Sequence, residues 1–470
     1  MKRFYQLLVG PMLFILIAFT VPLEPSQSRA IGVAAWMIAW WITQAVPIGI
    51  TALLPMVLFP SFGIAEMKTV TSSYANPIIY LFFGGFVLGL ALEKWNLHKR
   101  LALNILRRTG TKPQKIILGF MLATAIMSMW ISNTASTMMM LPIGLSISEL
   151  LKDQFPNPTA KRQFDLCLLL GLAYAANIGG ITTLIGTPPN LVLAALASES
   201  IDAEIGFSEW LLMALPLTTV LFSVAFLINT RFLFKIERNA LVGVRKAVSD
   251  QLSSLGNQSS GEKRVQLVFI ATALLWIFRS PLSKIEVFSF LSDPLIAVSS
   301  AIVLFVLPSG EGGPLLVWED SKSLPWDILL LFGGGLSLAS GLASTGVVDL
   351  LGSSLSQIEG VHWFMIILIV VFATIFFTEG MSNVALVSIT VPIVFVVAES
   401  LGGSALELAI PLTIAASCAF MLPIATPPNA IVFSSNKIKM NEMMRAGFVL
   451  NIMATIIISI YAYWVIPLIF

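Results

Sequence analysis

Two short polar words recur inside otherwise apolar stretches of this 470-residue chain. Ser132-Asn133-Thr134 is matched by Ser382-Asn383-Val384, and Thr187-Pro188-Pro189-Asn190 by Thr426-Pro427-Pro428-Asn429. An asparagine side chain carries two amide donors and a carbonyl acceptor, and serine and threonine hydroxyls do both jobs. The donors suit a carboxylate. The side-chain oxygens, with any exposed backbone carbonyls, suit a hard cation such as sodium, by the preference for oxygen ligands seen with calcium and magnesium. No lysine or arginine lies inside any of the four words. A dianion held there leaves charge to be compensated, and bound cations can do that.

The same words dictate their backbone. Consecutive prolines remove two amide donors, and the first disfavours helix at the threonine before it, so a helix breaks at each Thr-Pro-Pro-Asn. Each Ser-Asn word sits in apolar sequence and is followed eight residues on by a proline, Pro142 after Thr134 and Pro392 after Val384. Polar groups at membrane depth are costly unless they are hydrogen-bonded or face a cavity. Both Ser-Asn words therefore read as helix breaks, at the tips of re-entrant hairpins, and the four breaks are expected to converge on one centre. Half-helix N-termini at such breaks add partial positive charge, which favours an anion. One such word alone is ordinarily interhelical hydrogen bonding; four related ones point to a site. Glu379, three residues before Ser382, is either a functional intramembrane acid or a satisfied structural carboxylate.

The elements that position these breaks are membrane helices. The chain is 57% hydrophobic and 11% charged, against about 25% charged in soluble domains, and its mean hydropathy is +0.90. Apolar runs long enough to span a roughly 30 Å hydrocarbon layer recur from Phe4 to Phe470, giving ten to twelve spans, and their continuous rather than alternating character makes them helices. Met1-Lys2-Arg3 before the first run places the N-terminus on the cytoplasmic side. The run is long for a signal peptide and a polytopic chain follows it. A net charge of +2 gives no footprint for nucleic acid. Cys167 and Cys418 sit far apart in apolar surroundings and read as buried thiols, not a disulfide or zinc motif.

The two halves are a repeat. Phe83-Gly84-Gly85-Phe86 matches Phe332-Gly333-Gly334-Gly335, and with the two polar words this makes three ordered matches, offset by 239 (187 to 426) to 250 (132 to 382). After the first Phe-Gly-Gly helix come seven basic residues from Lys94 to Lys115, including Lys99 and Arg107, and no acid. The equivalent stretch after the second, Thr345 to Met365, has none and carries Asp349 and Glu359. Lysine and arginine collect on the cytoplasmic side, so the equivalent segments face opposite compartments and the repeat is inverted, a plan of secondary transporters with midplane sites at broken helices. The basic stretch also reads as an amphipathic interfacial helix, with Leu97, Leu101, Ile105 and Leu106 on its apolar side. The chain divides into N-terminal scaffold helices (1–76), a first repeat (77–236), a polar cytoplasmic linker (237–264), connecting scaffold helices (265–325) and a second repeat (326–470).

By length, inverted repeat, both Ser-Asn words and both Thr-Pro-Pro-Asn words, the chain resembles the divalent anion sodium symporters, which carry dicarboxylates, citrate or sulfate. The resemblance implies an all-α polytopic protein of about eleven spans with two re-entrant hairpins. It implies a homodimer in the lipid of the inner (cytoplasmic) membrane, moving substrate by an elevator motion. It places the substrate at Asn133, Thr134, Ser382, Asn383, Thr426 and Pro427, and a first sodium at Ser128, Ser132, Asn133 and the loop near Gly186, the last by symmetry with Ala425. A second sodium falls at Thr378, Met381 through its carbonyl, Asn383 and the loop at Ala425. The third position of the second triplet is Val384, where bacterial dicarboxylate carriers commonly have threonine.

Other classes fit less well. An intramembrane enzyme needs a nucleophile and base, a metal-binding His-Glu-x-x-His or paired aspartates, and the chain has only His98 and His362, without such partners. Paired ion-sized sites argue for coupling rather than a channel. The runner-up is an exchanger or proton-coupled carrier of a related dianion.

Overall fold

A computed structural model of the protein describes residues 2–236, 239, 241–348, 350 and 361–470; Asp349 and Glu359 lie outside the described residues. The chain begins with α1 (Lys2–Thr20), α2 (Pro25–Thr43), α3 (Ile48–Thr51), α4 (Leu54–Ser61) and α5 (Met67–Ser73). The first repeat supplies α6 (Pro77–Lys94), α7 (Leu97–Arg108), α8 (Pro113–Ser128), α9 (Asn133–Leu150), α10 (Pro158–Ile181), α11 (Pro188–Ser200) and α12 (Phe207–Leu227). The linker forms α13 (Val244–Ser254), and α14 (Ser260–Ser283) and α15 (Asp293–Val306) follow. The second repeat gives α16 (Trp326–Ser344), α17 (Trp363–Phe377), α18 (Asn383–Ser400), α19 (Ala405–Ala416), α20 (Pro427–Phe433) and α21 (Met440–Trp464). Among the described residues β pairing is limited to one isolated bridge, Pro308 to Pro314.

Eight helical segments of the described chain are long and apolar enough to cross a membrane. The shorter apolar helices include α8 and α17, of 16 and 15 residues. At about 1.5 Å per residue they fall short of a roughly 30 Å layer.

The amphipathic reading of the basic stretch holds for α7, which buries Leu97, Ala102, Leu103 and Leu106. It packs against α8 and α13. Arg100 ties it to the start of α14 by two bonds to Glu262, at 2.5 and 3.0 Å, and to the turn after α13 through Gly256 O at 3.0 Å. The linker is thus a docked helix, with Val248 buried. Cys167 and Cys418 are free and buried.

Small residues explain the Phe-Gly-Gly words. A Cβ at Gly84 would run into the backbone of Ala297 on α15, and one at Gly334 into Ala52 just after α3. The two helices meet through Phe82 and Phe332, whose rings lie 4.8 Å apart.

The core helix is α10, buried without interruption from Phe164 to Ile181. Around it the repeats exchange elements. The post-proline helix of the first repeat, α11, packs on α18 and α19 of the second, and α20 packs on α9 and α10 of the first. Each break is therefore roofed by the other half of the chain.

Candidate functional site

Helix α8 ends at Ser128, and after a four-residue tip α9 starts with Ser132 as its N-cap, accepting from Ala135 N at 3.1 Å. The second hairpin repeats this, α17 ending at Phe377 and α18 beginning after Ser382. At each tip the asparagine is pinned in one way. Ser128 Oγ lies 2.5 Å from Asn133 Oδ1 and 2.8 Å from Ala176 O; Thr378 Oγ1 lies 2.8 Å from Asn383 Oδ1 and 2.7 Å from Ala416 O. Each repeat thus gathers a hydroxyl, an amide oxygen and a helix carbonyl within hydrogen-bond distance, an all-oxygen set that fits a hard monovalent or divalent cation.

The proline breaks are built alike. Thr187 and Thr426 are extended, with φ near −143° and −140°, as a residue before proline prefers. The asparagine of each word then turns back to close the break. Asn190 Nδ2 donates to Thr183 O at 2.8 Å, and Asn429 Nδ2 to Ala419 O and Leu422 O at 3.0 Å. Carbonyls within each broken segment are thereby satisfied by a side chain, which irregular backbone in a dry interior requires.

The breaks differ in length, six residues (182–187) against ten (417–426). The shorter is held by Thr183 Oγ1 donating to Met129 O at 2.5 Å and by Trp210 Nε1 donating to Ile181 O at 2.9 Å. The longer is held by Glu379. Its carboxylate accepts from Phe420 N, Met421 N and Leu422 N at 2.8 to 2.9 Å and from Asn451 Nδ2 at 2.8 Å. Glu379 is 4% exposed and stays outside the cavity lining, so it is the structural carboxylate of the two alternatives.

All four words meet. A cavity of about 940 Å³ is lined by Ser132, Asn133 and Thr134 from one hairpin and by Met381, Ser382, Asn383 and Val384 from the other. The broken helices contribute Gly186, Thr187 and Pro188 from one side and Ala425, Thr426 and Pro427 from the other. Ser128 and Thr378, fully buried, stand one layer behind, touching the cavity only through their asparagines. Helices α9, α11, α18 and α20 all begin at this wall, and the three longer ones turn partial positive charge towards it. Among the described residues the lining contains no lysine, arginine or histidine; the charged side chains among them are two acids, Glu93 and Asp327. Sequence reasoning missed both, along with Trp130 and Gln44 on the same wall. An acid ending the apolar run of α6 was the one available hint.

The match with known proteins now decides the family. The sequence profile of the sodium:sulfate symporter transmembrane region covers residues 1–470. The chain belongs to that family. It is 40% identical to the sodium-dependent dicarboxylate transporter SdcS of Staphylococcus aureus (strain bovine RF122 / ET3-1) and 38% identical to SdcS of Staphylococcus saprophyticus. Each match covers 98% of this chain and 91% of the relative. Two solved structures share the fold at 13% identity and a TM-score of 0.55: the YdaH transporter of Alcanivorax borkumensis, over 84% of this chain and 87% of that one, and MtrF of Neisseria gonorrhoeae, over 96% of both. The protein is therefore a membrane transporter of the symporter family, as the motif resemblance implies.

One glycine of this symporter is a sharp probe of the first tip. A Cβ at Gly180 would come within 2.4 Å of Asn133 Oδ1 and 2.9 Å of Nδ2, and that amide is pinned by Ser128. Gly180→Ala is expected to displace Asn133 and cut sodium-dependent uptake by more than about tenfold, since overpacking a tight site costs roughly 1 to 3 kcal/mol. Gly335→Ala, whose added Cβ would meet only Ser388 at 3.4 Å, is the control expected to transport normally in the same vesicle assay.

Proposed function

We propose that the protein couples the entry of sodium to the uptake of a C4-dicarboxylate such as succinate, fumarate or malate across the cytoplasmic membrane. The observation that carries this reading is the cavity wall: two symmetric asparagine tips and two proline-broken helices, without a single cationic side chain among the described residues. Amide and hydroxyl donors with helix N-termini can hold a carboxylate at each end of a short dianion, but they do not neutralise it. With Glu93 and Asp327 also on the wall, the compensating charge has to arrive with the substrate, and sodium in the oxygen sets supplies it. The SdcS relatives are named for sodium-dependent dicarboxylate transport, which supports the same assignment.

In this reading Asn133, Thr134, Ser382, Asn383, Thr426 and Pro427 contact the dianion. The first sodium lies among Ser128, Ser132, Asn133 and the Gly186 carbonyl, the second among Thr378, Asn383 and the carbonyls of Met381 and Ala425. The asparagines are shared between anion and cation, so neither ligand completes its site alone, and that mutual completion is the coupling. About eleven spans, with α8–α9 and α17–α18 as re-entrant hairpins facing opposite sides, form the protomer of a homodimer with its N-terminus in the cytoplasm. The two hairpins and the broken helices interlocked with them move as one body past the scaffold helices, elevator fashion. Uptake of radiolabelled succinate into proteoliposomes tests the function. A saturable, counterflow-competent flux that collapses when external sodium is replaced by choline is expected; sodium-independent uptake would leave the exchanger reading in its place.

Val384 favours weighing a second substrate. It lines the cavity where the first repeat has Thr134, so one hydroxyl donor is absent, and sulfate, a more compact dianion named in the family's description, requires fewer donors at separated ends. Valine and threonine are nearly equal in shape. Val384→Thr is expected to increase apparent succinate affinity by about tenfold or more if the new hydroxyl reaches a carboxylate, measured as competition of unlabelled succinate and sulfate against labelled succinate. An unchanged profile with a lower melting temperature would place the side chain outside the binding contact.

A further inference from the structure

The two repeats correspond around the sites, and one buried position at which they differ governs a hydroxyl on the cavity wall. Ala176 and Ala416 are equivalent, since each carbonyl faces the hydroxyl that pins its repeat's asparagine. The next residue is Asn177 in the first repeat and Ser417 in the second. Ser417 Oγ is buried and makes no hydrogen bond. Asn177, 1% exposed, reaches across to the other repeat: its Nδ2 donates to Ala419 O at 3.2 Å and to Thr426 Oγ1 at 3.1 Å. The orientation of the amide is fixed, because Ala419 O can only accept and so faces the NH2 group.

This settles the polarity of Thr426. A hydroxyl has one proton and two acceptor lone pairs. Thr426 Oγ1 accepts from Asn177 Nδ2 and, as helix cap, from Asn429 N at 3.4 Å, which occupies both lone pairs. Its proton is left to be donated, and Thr426 lines the cavity. The equivalent Thr187 makes no capping bond and receives nothing from Ser417, so its hydroxyl is free to accept or donate. We infer that Asn177 is a positioning residue that holds the Thr426 hydroxyl as an obligate donor towards a bound anion. The pseudo-symmetric site thereby gains one end with a fixed donor and one end without. The inference rests on the reading that this cavity binds a dianion.

A thermodynamic cycle tests it in proteoliposomes, with wild type, Asn177→Ala, Thr426→Val and the double variant. A donor contact to a charged group that is no longer oriented is expected to raise the KM for succinate by about tenfold or more, with the maximal rate and the half-saturating sodium concentration within about twofold of wild type. In the Thr426→Val background, which has no hydroxyl to orient, Asn177→Ala should change KM by less than about twofold, since its effect passes through that hydroxyl. Thr426→Ser, which keeps the hydroxyl, should retain wild-type affinity as long as Asn177 is present. If Asn177→Ala fails to fold, Asn177→Ser, which copies the counterpart position, takes its place in the cycle. Additive effects in the double variant, or a fall in maximal rate at unchanged KM, overturn the positioning role. A working wild type in which Thr426→Val leaves KM unchanged overturns it also. If the wild type ignores succinate but takes up sulfate, the dicarboxylate assignment falls and the same cycle is read with sulfate. Failure to take up either removes both readings.

Discussion

Asn133→Ala and Asn383→Ala are each expected to abolish sodium-dependent dicarboxylate uptake while leaving the protein folded. Each asparagine lines the cavity and has its carbonyl oxygen fixed by a buried hydroxyl, Ser128 or Thr378. The amide end is thereby left for the anion and the oxygen end for the cation. Truncation to alanine removes a contact from both ligands at once, at a cost of roughly 1 to 3 kcal/mol for each group left unpaired. Summed over two ligands this amounts to about thirtyfold or more in uptake, on the scale of about 1.4 kcal/mol per factor of ten. Stability should change less, since Ser128 and Thr378 keep the carbonyls of Ala176 and Ala416 as partners. Initial rates at saturating sodium, alongside melting temperature in detergent, check both halves of this expectation. Near-normal uptake by either variant would remove the shared-ligand site.

Glu379→Ala is expected to have the opposite signature, a loss of folded protein. The carboxylate serves four donors at 2.8 to 2.9 Å, three of them consecutive amides of the ten-residue break that leads to Thr426. Irregular backbone buried in protein has no water to fall back on, and removing the acceptor leaves these donors bare, a penalty of at least about 3 kcal/mol. Glu379→Gln can keep a carbonyl oxygen facing Phe420 N, Met421 N and Asn451 and loses only the bond to Leu422 N, so it should fold better than alanine and transport at a reduced rate. The yield of monodisperse protein and its melting temperature rank the three forms. A stable Glu379→Ala variant that has lost only its sodium dependence would move this carboxylate into the transport site.

Legibility in the sequence followed the range over which each residue acts. The four breaks were readable because proline and Ser-Asn instruct their own backbone. Their convergence followed from the repeat, and the cavity brings together every lining residue named in advance, from Ser132 to Pro427. Ser128 and Thr378 were placed with the sites but stand behind them, since a hydroxyl that ends a helix reaches its partner through the next turn rather than facing the opening. What could not be read depends on which distant helix packs where. The partners of Glu379 are 41 to 72 residues away, Asn177 acts on a threonine 249 residues on, and Glu93 and Asp327 join the wall through the packing of α6 and α16. The exchange of α11 and α20 between repeats left no mark on local periodicity, because α11 is buried all round from Pro189 to Ala197 and α20 is only seven residues long.

The central claim is that the dianion and the cations complete one another's sites on a wall with no fixed positive charge. Its most direct measurement reverses the usual assay: proteoliposomes with equal sodium on both sides and a succinate gradient directed inward, with radiosodium as the tracer and the membrane potential clamped. Net sodium entry driven by succinate alone, lost in Asn133→Ala and Asn383→Ala, is the predicted result. Succinate accumulation without sodium movement would contradict the account.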